Sequence, residues 1–405
     1  MYLNTEIAKN IFYVGVNDRI KEKFENMIPL PQGVSYNSYL IVDERIALID
    51  TVDACYGDVF IDKLKSQLAD KPIDYLIINH MEPDHSGSIG LIRKYYPNII
   101  LVGNKKTLEM VHGYYGIDDN TLEIGDGETL SLGKHTLQFV LTPMVHWPET
   151  MMTYDETENV LFSGDAFGCF GTLDGGVIDS QINPDKYWDE MIRYYANIVG
   201  KYGAPVQKAL QKLTPVDIKI ICSTHGPVWK EQVSKAVDIY DQMSRYEGKE
   251  GCVIVYGSMY GNTERMAEAV AQGLVSSGIK NVVMHNVSKS DASVILRDIF
   301  KYKGLVIGSP TYCNELHPEI DSLLKKIDIR GIKKRDFGYF GSFTWAGIVN
   351  KRLAEFGEKM KWRTVDFTVE EKMGLKESNY QSCILLGKKA AELIRTQEPV
   401  DPGCH

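Results

Sequence analysis

The sequence lacks a CxxC pair, an apolar run of membrane-spanning length and a basic stripe. Its seven cysteines are odd in number and scattered, which argues against a disulfide framework and excludes a fused four-cysteine iron site. No apolar run approaches the roughly 20 residues that cross a bilayer. The formal net charge of −9 argues against nucleic acid as the partner.

The N-terminal residues do not resemble a signal peptide, since residues 1–6 have neither its charged region nor its apolar core. Scattered cysteines suit reduced thiols rather than an oxidising compartment. The sequence therefore predicts a cytoplasmic protein with no membrane segment. A length of 405 residues predicts two or three domains.

The most informative stretch follows the apolar run at residues 74–78, which is typical of a buried strand. Pro83 cannot continue a strand ladder, so the chain turns there and its side chains diverge. Four potential metal ligands, two His and two carboxylates, lie around this turn. A single structural zinc prefers a closed set of Cys and His ligands, whereas this mixture of imidazoles and carboxylates suits two metal ions held close together. The potential ligands are His80, Glu82, Asp84 and His85.

Three later apolar runs repeat this context, each followed by a loop that contains Gly or Pro and a His or Asp. These residues are His146, Asp165 and His225. A single histidine in such a loop is more often structural, but three of these loops together with the first cluster indicate a metal centre. The remaining histidines are interpreted as surface or satisfied core residues: His112, His135, His285, His317 and His405.

A polar, glycine-bearing segment at residues 244–251 predicts a domain boundary, which divides the chain into domains at 1–250 and 251–405. The alternation of apolar and helical segments predicts a layered α/β or α+β first domain and a doubly wound parallel sheet in the second. The aromatic residues of the helical segment near 185–213, which include Tyr194, are interpreted as core and interface residues.

The second domain opens with a strand at residues 252–256 and a hydroxyl-rich loop at 257–263 that leads into a helix. This loop is neither a Walker A loop nor GxGxxG, and it lacks the Lys that a triphosphate requires. Backbone amides at a helix N-terminus suit one phosphate monoester, with side-chain donors from Ser258, Asn262 and Thr263. Two later loops, at 309–314 and 342–347, place small polar residues around an aromatic and could hold a flat heteroaromatic ring.

The three loops together resemble flavodoxin, and the resemblance implies FMN with Tyr312 and Trp345 beside its ring. The implied cofactor-binding residues are Ser258, Met259, Tyr260, Gly261, Asn262, Thr263, Ser309, Pro310, Thr311, Tyr312, Asn314, Ser342, Phe343, Thr344, Trp345, Ala346 and Gly347.

The first half resembles the metallo-β-lactamase fold, an αββα sandwich, through its HxExDH cluster, the GD at residues 164–165 and the THG at 224–226. Hydrolases of that fold read HxHxDH and bind zinc. Glu82 replaces the second histidine here, and a carboxylate favours iron or manganese over zinc. Within the fold, this substitution resembles the flavodiiron proteins, and that resemblance spans almost the whole chain.

The resemblance implies one iron held by His80, Glu82 and His146, and a second held by Asp84 and His225, with Asp165 as the bridge. Whether His85 also binds is left open. It further implies an oxidoreductase that reduces dioxygen to water or nitric oxide to nitrous oxide. Reduced iron and FMN would supply the electrons.

The chain resembles the two-domain members of the family, so an external donor such as rubredoxin or a reduced deazaflavin is expected. A head-to-tail homodimer, or a dimer of dimers, is implied in the same way. Two alternatives remain. A zinc hydrolase with an appended flavodoxin domain would hold zinc and need no flavin, and a pure electron carrier would consume no gas.

Overall fold

The computed structural model describes residues 5–69 and 71–396. The chain divides into two compact units, Met1–Ser244 and Arg245–His405. The domain boundary predicted between residues 250 and 251 stays a prediction, and the predictions for Cys404, His405 and the absent signal peptide fall partly or wholly outside the described residues. Within the described ranges, no helix combines the length and the apolar character needed to span a membrane.

The first unit contains two sheets that share one hydrophobic core, to which both contribute strand residues such as Ile77 and Phe162. In spatial order, the first sheet comprises Thr5–Ala8, Ile11–Tyr13, Tyr39–Val42, Ile46–Ile49, Tyr75–Ile77, Ile100–Gly103 and Thr121–Glu123. The second sheet comprises Thr129–Ser131, Thr136–Leu141, Met151–Asp155, Val160–Gly164 and Ile220–Ser223. Two short ribbons pair Val16–Asp18 with Val34–Tyr36 and Lys23–Phe24 with Ile28–Pro29.

Seven α-helices accompany these sheets among the described residues of the unit: Gly57–Leu68, Pro83–Ser86, Ile89–Tyr95, Lys105–Tyr115, Trp188–Tyr194, Gly203–Leu213 and Val233–Ser244. With its two sheets and helices, the unit is the metallo-β-lactamase-like sandwich that the family resemblance implied. The loop expected at Pro83 is instead a short helix, because proline is well suited to a first helical position. The helical segment predicted near residues 185–213 contains a π-helical turn at Tyr195–Val199, and a new helix begins at Gly203.

Parallel pairing of two strands in the second sheet brings two of the predicted ligand loops together. Val160–Gly164 and Ile220–Ser223 run parallel, with Gly164 opposite Ser223. The carboxyl ends of parallel strands meet at one edge, so the loops that begin at Asp165 and Thr224 lie side by side. A left-handed backbone at Gly164, with φ of 57°, turns the chain directly before Asp165.

The second unit is a doubly wound parallel sheet in the order Val282–Asn286, Lys249–Tyr256, Tyr302–Tyr312, Asp336–Phe343 and Arg363–Thr364. Numbered along the chain, this is the order 2-1-3-4-5 of flavodoxin-like sheets, whose ligands bind at the carboxyl ends of the strands. Val369–Lys372 and Glu315–Leu316 pair beside it. The helices are Asn262–Ser276, Ala292–Lys301, Pro318–Ile329, Val349–Met360 and Glu377–Arg395.

Candidate metal centre and cofactor pocket

The seven predicted metal ligands lie together in two groups of buried side chains. The first group contains His80, Glu82, His146 and Asp165, and the second contains Asp84, His85 and His225. Within each group, one potential ligand atom of every residue lies within 4.8 Å of the others. The structure thus brings together residues that are up to 145 positions apart in the sequence, and every one of them is at least nine-tenths buried.

Imidazole and carboxylate atoms converge in the first group. Nε2 of His146 lies 3.1 Å from Oε2 of Glu82 and 3.0 Å from Oδ2 of Asp165. Nε2 of His80 lies 3.3 Å from the same Glu82 oxygen and 3.5 Å from the same Asp165 oxygen. Four donor atoms therefore face one common point.

The second group faces the other oxygen of Asp165. Oδ1 of Asp165 lies 2.9 Å from Nε2 of His85 and 3.8 Å from Nε2 of His225. Oδ2 of Asp84 lies 3.2 Å and 3.3 Å from the same two nitrogens. Asp165 therefore presents one oxygen to each group, which is the arrangement that a bridging carboxylate requires.

Outer residues orient two of these imidazoles. Nδ1 of His80 lies 2.8 Å from Oε1 of Glu149, which also accepts the Met81 N–H at 3.0 Å. Nδ1 of His225 lies 2.7 Å from the carbonyl oxygen of Ser35. A proton on each Nδ1 leaves Nε2 free to bind a metal, as second-shell partners commonly ensure. Glu149 was missed by the sequence analysis, although an acidic residue three positions after His146 offered a signal.

The carboxylates set the protonation of the cluster when no metal is bound. Burial lowers the pKa of His85 and His146, but neighbouring carboxylates outweigh it and raise both values to about 9. Burial likewise opposes protonation of His80, yet Asp165 and Glu149 hold its pKa well above the ordinary value. Burial raises and the imidazoles lower the pKa of Asp165, which ends well below its usual range. Binding of a metal would release these imidazole protons.

Orphaned atoms test whether a metal pair fits this cluster. Both carboxylate oxygens of Asp84 and Nε2 of His225 are buried and make no hydrogen bond with the described residues. Such groups are costly to bury unless an ion or a proton satisfies them. Donor atoms bound at right angles about 2.1 Å from one ion lie about 3.0 Å apart, which is close to the separations above. The donor set of imidazoles and hard carboxylates suits iron.

Tyr194 is a further buried group at this centre. Its ring centroid lies 5.3 Å from that of His225, and its hydroxyl has no hydrogen-bond partner among the described residues. Burial raises the pKa of this hydroxyl well above the usual value, and the charges of Asp165 and Glu82 add to the effect. The sequence analysis assigned Tyr194 to core and interface packing, and a helical pattern alone could not show that its hydroxyl lies near the metal ligands.

A second site occupies the carboxyl ends of the strands in the second unit, where a cavity of about 230 Å³ opens beside the loop at residues 257–263. Ser258 Oγ accepts the Gly261 N–H at 3.1 Å and the Glu264 N–H at 3.4 Å. The hydroxyls of Thr263 and Ser342 are 3.0 Å apart. Converging amides and hydroxyls fit a phosphate group, which accepts hydrogen bonds from both.

Ten of the residues predicted to bind the cofactor line this cavity: Ser258, Met259, Tyr260, Asn262, Thr263, Pro310, Thr311, Ser342, Phe343 and Thr344. The other seven do not line it: Gly261, Ser309, Tyr312, Asn314, Trp345, Ala346 and Gly347. Tyr312 and Trp345 are nevertheless exposed, at 46% and 83% of their surface, so both are accessible to the ring of a bound flavin. Arg265, Met373 and Gly374 line the cavity and were missed by the sequence analysis.

The side chain of Asn262 lines the cavity and also makes two hydrogen bonds to a later part of the chain. Its amide nitrogen donates to the carbonyl oxygen of Met373 at 2.9 Å, and its oxygen accepts the Leu375 N–H at 2.8 Å. This pair of bonds ties the phosphate loop to the segment before the last helix.

Three of the remaining histidines lie outside both sites, and a fourth, His317, packs against Gly257 of the loop at residues 257–263. His135 and His285 are buried against Asp155 and Asp298, at 3.0 Å and 2.9 Å. His112 is exposed beside Asp118. His317 differs from the expected satisfied core residue, because its Nδ1 is buried without a hydrogen-bond partner among the described residues.

Comparisons with known proteins agree with this architecture. A family model described as ODP family beta lactamase matches residues 34–226, and a flavodoxin model matches residues 254–386. The chain is 31% identical to a nitric oxide reductase of Moorella thermoacetica, and the alignment covers 96% of this chain and 98% of that protein.

Two solved structures are similar over almost the full chain. One is a rubredoxin oxygen:oxidoreductase from Desulfovibrio gigas, with 29% identity, a TM-score of 0.92 and coverage of 97% and 99% of the two chains. The other is the flavodiiron protein from Giardia intestinalis, with 28% identity, a TM-score of 0.91 and coverage of 97% and 98%.

Proposed function

The chain belongs to the flavodiiron protein family, and from that premise we propose how its residues serve the activity. The protein is an oxidoreductase that reduces dioxygen to water, nitric oxide to nitrous oxide, or both, with a diiron centre and FMN as cofactors. The observation that carries the proposal is the position of Asp165, whose two oxygens face two separate groups of buried ligands.

We assign one iron to His80, Glu82 and His146, and the other to Asp84 and His225, with Asp165 as the bridge. His85 joins the second iron in this assignment, because its Nε2 lies within 3.2 Å of oxygens of both Asp84 and Asp165. The zinc-hydrolase alternative is not favoured, since the relatives are oxidoreductases and Glu82 supplies a hard oxygen where a hydrolase has imidazole.

When bound, the iron pair and FMN supply the electrons for the reduction. The chain's own residues orient the metal ligands and supply a hydrogen-bond donor. Glu149 holds the proton on Nδ1 of His80, so that Nε2 keeps its lone pair for the metal. We infer that the hydroxyl of Tyr194, which lies on a ring that contacts His225 and has no hydrogen-bond partner among the described residues, donates a hydrogen bond to an oxygen atom of the substrate. A buried donor of this kind is effective because water does not compete for it.

Replacing Tyr194 with Phe should slow gas reduction and leave protein stability unchanged or higher. The lost hydrogen bond is expected to cost about tenfold or more in turnover. Removal of an unsatisfied buried hydroxyl carries no folding penalty. Turnover, iron content and thermal unfolding would be measured together.

The matched control for that variant is Tyr154→Phe. The Tyr154 hydroxyl has one proton to donate, and two acceptors lie within reach of it, Oδ1 of Asn159 at 2.7 Å and the carbonyl oxygen of Asp217 at 3.0 Å. This variant should therefore lose about 1 kcal/mol of stability and keep its turnover. Equal turnover in Tyr194→Phe and the unmodified protein would remove Tyr194 from the mechanism.

The family also indicates the partners of this chain. The Desulfovibrio gigas relative is a rubredoxin oxygen:oxidoreductase, and we propose rubredoxin or a reduced deazaflavin as the electron donor of this chain. We further propose a head-to-tail homodimer or a dimer of dimers, and a cytoplasmic location. Full turnover by a monomer at high dilution would contradict the dimer.

The deciding experiment measures metal and flavin content and then mixes the fully reduced protein with each gas in stopped flow. About two irons and about one FMN per chain are expected, with rapid oxidation by dioxygen or nitric oxide. The gas that reacts faster identifies the substrate. Zinc without flavin, or a reduced protein inert to both gases, would overturn the proposed function.

A further inference from the structure

Among the described residues, Arg265 is the only charged one that lines the cavity beside the phosphate loop. It lies in the first turn of the helix Asn262–Ser276, and its side chain is exposed. Its guanidinium makes no hydrogen bond or ion pair with the residues that the structure describes, whereas Arg352 and Lys376 of the same unit each have a carboxylate partner. An unpaired guanidinium at a phosphate pocket is available to a ligand.

The adjacent acidic side chain does not neutralise this cation. The carboxylate of Glu264 accepts the hydroxyl of Tyr256 at 2.7 Å, and Glu264 does not line the cavity. The other polar groups of the cavity are neutral hydroxyls and amides, among them the Thr263 and Ser342 pair and the amide donors that Ser258 accepts. Of the lining residues that the structure describes, Arg265 therefore supplies the single formal charge, in addition to the partial positive charge of the helix N-terminus.

We propose that Arg265 binds the phosphate of FMN and sets the preference of this chain for FMN over riboflavin, an inference that rests on the proposed function. A phosphate monoester carries close to two negative charges at neutral pH, and guanidinium pairs with phosphate oxygens through two parallel hydrogen bonds. Neutral donors recognise the shape of the phosphate, whereas Arg265 recognises its charge. Because the guanidinium is exposed, its contribution weakens as salt rises.

The test compares flavin affinities in the full-length protein after its flavin has been removed and its iron retained. FMN and riboflavin are titrated separately by quenching of flavin fluorescence, at low ionic strength and at about 1 M salt. The variants are Arg265→Gln and Arg265→Lys. Lys388→Gln is the control, because it removes the same charge from an exposed position of the same unit that does not line the cavity.

We expect Arg265→Gln to weaken FMN binding about tenfold or more at low salt and to leave riboflavin affinity within about twofold. The difference from the unmodified protein should shrink at high salt. Arg265→Lys should retain part of the salt dependence, since a point charge replaces the planar fork. Lys388→Gln should bind both flavins as the unmodified protein does. Inorganic phosphate should compete with FMN less effectively in Arg265→Gln.

Two results would overturn the inference: unchanged FMN affinity in Arg265→Gln, or an equal loss of FMN and riboflavin affinity. The second would mean that Arg265 supports the loop rather than the phosphate. Failure of the proposed function is a different result, because the unmodified protein would then bind neither flavin.

Discussion

Replacing Asp165 with Asn is expected to remove both irons and with them all gas reduction. Its two oxygens serve separate groups, Oδ2 at 3.0 Å from His146 and Oδ1 at 2.9 Å from His85, so one substitution affects both metals. Asn keeps the shape but lacks the negative charge that balances the cations. Loss of an outer residue typically costs 10- to 100-fold in metal affinity, and loss of a bridging ligand should cost at least about 100-fold.

The measurement is iron content by mass spectrometry alongside flavin content and turnover. Asp155→Asn is the matched control, because Asp155 is also fully buried and paired with an imidazole, that of His135, but lies outside the ligand groups. It should keep its iron and lose only stability. Asp165→Asn should keep its FMN, since the flavin site belongs to the other compact unit. Two irons retained in Asp165→Asn would refute the bridging assignment.

Replacing Glu82 with His should change which metal the protein selects. Glu82 Oε2 lies 3.1 Å from Nε2 of His146 and 3.3 Å from Nε2 of His80. A third imidazole at that point would complete a three-histidine set, which is a common zinc site. Replacement of a hard carboxylate by imidazole also weakens the preference for iron. The variant should bind zinc in place of iron and lose gas reduction entirely, because zinc has no redox chemistry.

The experiment grows the unmodified protein and the variants in medium with equal iron and zinc and measures both metals after purification. The ratio of iron to zinc should fall at least about tenfold in Glu82→His. Glu82→Asp separates the effect of the donor atom from that of side-chain length, and it should prefer iron even if it binds less. An unchanged iron preference in Glu82→His would show that the other ligands decide the metal.

The sequence was sufficient to predict the ligand loops, because each follows a short apolar strand and contains an unusual density of His, Asp or Glu. The alternating pattern of the second half predicted a doubly wound parallel sheet, which is confirmed, whereas the order of its strands came from the structure. The apolar periodicity of a strand or helix, and the residues that mark its end, are local properties of the chain, so they can be read directly from the sequence. The separation of the ligands into two groups around Asp165 came only as an implication of the family resemblance.

The residues that the sequence analysis missed act through distant contacts. Glu149 meets His80 across 69 positions, and Tyr194 approaches His225 from a helix whose pattern indicates only packing. Asn262 differs from these residues, because the sequence predicted that its side chain donates to the phosphate. In the structure its amide group is bonded to Met373 and Leu375. These roles depend on tertiary neighbours that no local pattern contains. Arg265 was visible in the sequence, but only the structure could show that none of the described carboxylates pairs with it.

The position of the ligands on both sheets of the first unit has a consequence for the life of the protein in the cell. His80 and Asp84 follow a strand of one sheet, whereas Asp165 and His225 follow strands of the other, so bound iron fastens the sheets together. Metal binding free energy then becomes folding free energy. Chains made during iron starvation would open more often and be degraded sooner. Iron supply would thus regulate abundance as well as activity, and the half-life of the protein in iron-starved cells is the quantity that would reveal it.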